Sequence, residues 1–118
     1  MIRSSLPHLH VAALSHPGMT GKNNEDRYVI SSFLMSTEDP RPSVFALVAD
    51  GIGGHRAGEV AAELAVNYIT KSISESNGRK PVRIIENAIH EAGQAISSHS
   101  AGREDEEAFR FILLLVAK

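Results

Sequence analysis

Apolar positions along the chain recur first with the period of strands and then with the period of helices. Residues 9–15 are short and β-compatible, and His16-Pro17-Gly18 after them is a turn signal. A polar run leads to Asp26, and residues 28–34 then predict a strand. Pro40 and Pro42 make residues 37–43 a loop. Residues 44–49 form a continuous apolar run of strand length ending on Asp50-Gly51, the pattern of a strand buried on both faces.

The period then changes. Ala57, Val60, Ala61, Leu64, Ala65, Tyr68, Ile69 and Ile73 keep helical spacing over more than four turns, and Asn77-Gly78 supplies the stop. Pro81 opens a second helix with Ile85, Ala88, Ile89, Ala92 and Ile96 on one face. A polar, acidic stretch over residues 101–107 precedes Phe109–Ala117, which predicts a hydrophobic strand. Three strands, two helices and a fourth strand predict an α+β fold, mostly antiparallel, with the helices on one face.

Length and composition narrow the function. The 118 residues suffice for one domain and are too few for two. Charged residues make up 22% and the formal net charge is −2, without the clustered basic excess that nucleic acid or an anionic membrane would require. The chain has no cysteine, which excludes disulfides, thiolate zinc sites and a cysteine nucleophile. Pro7, His8 and His10 interrupt the apolar residues near the start, where a signal peptide needs roughly 7–15 in a row. The longest apolar run, residues 112–117, is far below the ~20 residues of a membrane helix. The expected location is the cytoplasm.

Two motifs carry chemistry. In the first, Asp50-Gly51-Ile52-Gly53-Gly54-His55 follows the buried strand. An aspartate at a strand end is held rigidly, and flanking glycines let the backbone approach a ligand, so the Gly51 carbonyl could serve as a hard oxygen donor. The alternative is a strand-to-helix turn in which Asp50 caps local N–H groups. The second motif is Asn23-Asn24-Glu25-Asp26, which alone reads as a solvated turn of repelling carboxylates. If the two strands are neighbours, three carboxylates and a carbonyl converge on an oxygen-rich site suited to Mg²⁺ or Mn²⁺.

The run from Ser15 to Asp26 resembles the first motif of bacterial type 2C (PPM) protein serine/threonine phosphatases, and the run from Val44 to Glu59 resembles their second. The likeness covers about residues 9–75 and makes residues 1–118 the N-terminal portion of one such domain. The resemblance implies two packed antiparallel sheets flanked by helices, of which this chain holds about four strands and two helices. It also implies a two-metal site of Mg²⁺ or Mn²⁺ in which Asp50 bridges the ions. Gly51 gives its carbonyl, and Glu25 and Asp26 act directly or through water. Two cations ~3.5–4 Å apart lower the pKa of a bridging water, which attacks phosphorus in line. Asp50 and Asp26 are thus the catalytic candidates, while His55 supports the site from behind the ligands. The implied partners are phosphorylated proteins and a serine/threonine kinase.

Three departures stand out. The family's phosphate-clamping arginine corresponds to Gly21, and the adjacent Lys22 can attract phosphate only as a point charge, without the bidentate fork. His16 stands where the family has aspartate. The later Gly-Thr-Thr strand, Gly-Asp-Ser-Arg hairpin and two metal-binding aspartates have no counterpart, and Phe109–Ala117 occupies the position of that strand. Two readings therefore stand: a metal-dependent phosphatase, or a non-catalytic phosphatase remnant acting as a binding or regulatory module. A hydrophobic last strand exposed at an edge would favour association with another chain.

Overall fold

A computed structural model describes residues 1–18, 24, 26–51, 56–99 and 109–117, the last stretch by its backbone. The apolar run at 44–49 becomes the middle of a ten-residue strand, β3 (Pro42–Gly51). It pairs antiparallel on one side with β2 (Arg27–Leu34) and on the other with β4 (Phe109–Ala117). A three-residue strand, β1 (Ile2–Ser4), pairs with the far end of β2. Among the described residues these form one antiparallel sheet in the order β1-β2-β3-β4. The tight 35–41 connection is closed by Met35 N–H donating to Arg41 O at 3.0 Å and Ser36 N–H to Asp39 O at 3.1 Å.

Both helices lie on one face of the sheet. In α1 (Arg56–Glu75) the buried positions Ala62, Ala65, Ile69 and Ile73 fall on one stripe. Its small residues let the backbone run close over Ala49 of β3. In α2 (Pro81–His99) Ile85, Ala88, Ala92 and Ile96 form the matching stripe. They meet Phe33, Phe45 and Leu47 of the sheet in a continuous core. Phe33, Phe45, Leu47 and Ile69 are the largest fully buried side chains, each stabilising the fold by roughly 1.5–3 kcal/mol. The α+β class and the segregated helices are as the periodicities predict.

Two expectations need correction. Residues 9–15 form no strand: among the described residues no strand pairs with them, and Leu14 is 93% exposed. The first strand is Ile2–Ser4, too short to show a period. It is anchored because the Met1 amino group donates to Ser74 O at 3.2 Å and Ser76 O at 2.5 Å, at the electronegative end of α1. The second correction concerns β3. Phe45, Leu47 and Ala49 are buried against the helices, but on the opposite face Val48 is 44% exposed. A continuous apolar run alone does not distinguish one covered face from two.

Candidate functional site

The site is built where β2 begins and β3 ends. The register pairs Arg27 with Ala49 and Tyr28 with Val48. Asp26 directly precedes β2 and Asp50 directly follows Ala49, so both come to the same end of this strand pair. Both aspartates are exposed, and they continue the face that carries Tyr28 and Val48. Asp50 lies within β3, held by pairing on both sides, with Arg110 as its register partner on β4. Gly51 ends the strand opposite Phe109. The helix α1 starts five residues beyond Gly51.

The segment before β2 is fixed by local polar chemistry. Asp26 N–H donates to Asn24 Oδ1 at 3.1 Å, an Asx turn, and Asn24 Nδ2 donates to Ser15 Oγ at 2.6 Å. Arg27 points to the helix side of the sheet. Its Nη1 donates to Asn24 O at 2.8 Å and Asp26 O at 2.9 Å, and its Nη2 donates to Glu59 Oε1 at 2.6 Å. The Arg27 and Glu59 side chains keep 30% and 35% of their exposure, so the ion pair contributes on the order of 0.2–1 kcal/mol. Glu59 sits in the first turn of α1, where the helix dipole also favours a carboxylate. His16, at the position of a family aspartate, accepts a hydrogen bond at Nδ1 from Gly18 N–H at 2.9 Å.

Of the residues singled out in the sequence, the structure brings Asp26, Asp50 and Gly51 to one end of adjacent strands. Gly21, Lys22, Glu25, Gly53, Gly54 and His55 lie outside the described residues. Among the described residues no three His, Cys, Asp or Glu side chains converge as a cluster able to hold a metal. The donors present, two carboxylates and a backbone carbonyl, have the hard-oxygen chemistry of an Mg²⁺ or Mn²⁺ site. They fit part of the shell of one cation rather than the full shell of a pair. Arg27 and Glu59, 32 positions apart, are not among the residues that the sequence motifs single out. The available signals were an arginine directly after the acidic motif and a glutamate opening the helix after the second.

The protein phosphatase 2C family matches residues 18–117. Among curated relatives, the serine/threonine phosphatases stp of Listeria innocua serovar 6a, Listeria monocytogenes serotype 4b and Listeria welshimeri serovar 6b are each 30% identical over 89 residues. Those residues are 75% of this chain and 33% of each relative, so the chain spans about a third of their length. No solved structure matches significantly.

Proposed function

We propose a function from one premise: the chain belongs to the protein phosphatase 2C family. The function is hydrolysis of phosphoserine and phosphothreonine in proteins, dependent on Mg²⁺ or Mn²⁺, with this chain supplying the Asp26, Asp50 and Gly51 part of the site. The observation that supports this reading is that Asp26, just before β2, and Asp50, near the end of β3, come to the same end of two paired strands and are both exposed. Two carboxylates and the Gly51 carbonyl make a hard-oxygen donor set of the kind such cations take.

When bound, such a cation neutralises phosphoryl charge and acidifies a neighbouring water. Asp50 offers a carboxylate from a strand paired on both edges, which limits its movement. Gly51 adds a carbonyl without a side chain in the way. Asp26 offers its carboxylate from a turn tied down by Asn24 and Arg27. Glu25 adds a third carboxylate in this reading, and Lys22 draws the substrate phosphate as a point charge. The partners are phosphoproteins and the kinase that makes them, and a chain without cysteine suits the reducing cytoplasm.

A second reading, a non-catalytic module that binds phosphoproteins, draws on Gly21 in place of the clamping arginine and on the exposed Tyr28 and Val48 beside the aspartates. Phosphate release from a phosphothreonine peptide with Mn²⁺ separates the two. The phosphatase reading expects turnover that a chelator stops and that Asp50→Asn abolishes. Saturable peptide binding without turnover would establish the module instead, and turnover unchanged by Asp50→Asn would remove Asp50 from the site.

A further inference from the structure

We propose that Arg27 and Glu59 form a positioning clasp that sets the Asp26 turn against α1 and so preorganises the cation site; this rests on the metal-dependent reading above. Arg27 uses its guanidinium fork on three acceptors from two parts of the chain. Two are the main-chain carbonyls of Asn24 and of Asp26 itself, in the first motif. The third is Glu59 Oε1, in the first turn of the helix that follows the second motif. The two motifs are thereby joined directly by one side chain, from the face of the sheet opposite the aspartates.

The placement follows from strand alternation. Arg27 pairs with Ala49, whose side is buried beneath α1, while the next positions outward, Asp26 and Asp50, turn to the open face. Arg27 therefore cannot be a cation ligand and does not compete for the aspartates. Its fork fixes the carbonyls on either side of residue 25 and limits rotation of the backbone that carries Asp26. Only arginine offers this planar, multidentate geometry. Partners that orient ligands in this way typically change metal affinity about ten- to a hundred-fold when removed.

The signs of two single substitutions separate a clasp from a plain charge effect. If Arg27 and Glu59 acted only through their fields, Arg27→Gln would strengthen cation binding and Glu59→Gln would weaken it. The clasp predicts that both weaken it, and that the double variant loses no more than either single one. Mn²⁺ affinity is measured by calorimetric titration of the full chain, alongside the melting temperature of the metal-free protein. The expected result is about a tenfold loss for Arg27→Gln and for Glu59→Gln, non-additive in the double variant, with the metal-free melting temperature nearly unchanged. If Arg27→Gln fails to fold, Glu59→Gln and Arg27→Lys carry the same test. Opposite signs, additive losses or unaltered affinity would overturn the clasp alone. A wild-type chain that binds no Mn²⁺ would overturn the metal-dependent reading together with it.

Discussion

Gly78 and Gly93 differ so completely in their surroundings that one substitution, glycine to alanine, should move stability in opposite directions. Gly78 lies between α1 and α2 with φ +67, a left-handed conformation that costs a residue with a Cβ about 1–2 kcal/mol. A Cβ there would also come within 2.7 Å of Met1 Sδ and 2.8 Å of Met35 Sδ. Those atoms are ends of flexible side chains beside an apolar cavity of about 40 Å³, so they can move aside and the backbone cost dominates. Gly93 lies inside α2, and a Cβ built on it meets no atom within 4 Å. Alanine there avoids the entropy that glycine loses in a helix, a gain of about 0.5–1 kcal/mol. For a chain of this size each kcal/mol shifts the melting temperature by about 4 °C. Thermal unfolding followed by circular dichroism should therefore place Gly93→Ala above wild type and Gly78→Ala below it, about 8 °C apart. A Gly78→Ala protein as stable as wild type, or a destabilised Gly93→Ala, would refute this account of the helix pair.

The two faces of β3 make a second contrast. Phe45→Ala, which empties a site 1% exposed, should cost about 3–5 kcal/mol in chemical denaturation. Val48→Ala, 44% exposed, should cost less than about 1 kcal/mol, and a loss like that of Phe45 would mean the open face is covered. A pH prediction concerns Asp39, whose carboxyl is held below its usual range chiefly by the hydrogen bonds from Arg41. Because the folded value is the lower one, the stabilisation is present above the ordinary carboxylate range and fades as pH falls through the folded value. An NMR titration should show Asp39 moving back up in Arg41→Gln, and an unmoved midpoint would refute the assignment.

Much of the fold was legible because most of its elements are long and periodic. The stripes of α1 and α2 and the runs that became β2, β3 and β4 all lie close to where hydrophobic spacing places them. Residues 9–15 differ from their expected strand because apolar content gives no sign of whether a partner strand is near. Ile2–Ser4, which takes the pairing instead, depends on contacts of the chain's first residues with Leu34 and with the end of α1. Asp26 and Asp50 are visible as motif residues, but their coming to the same end of β2 and β3 depends on how the 35–41 loop closes, through bonds such as Met35 N–H to Arg41 O. The link from Arg27 to Glu59 was not legible at all. It needs strand alternation and helix placement together, and neither motif alone contains both ends.

Joint binding of a divalent cation by Asp26 and Asp50 is tested most directly with Mn²⁺, through its paramagnetism. In a titration of isotope-labelled protein with substoichiometric Mn²⁺, the amide signals of Asp26, Arg27, Asp50 and Gly51 are predicted to broaden first. That broadening should disappear in Asp50→Asn. Broadening centred on Glu38 and Asp39, or unchanged at Gly51 in Asp50→Asn, would contradict the claim.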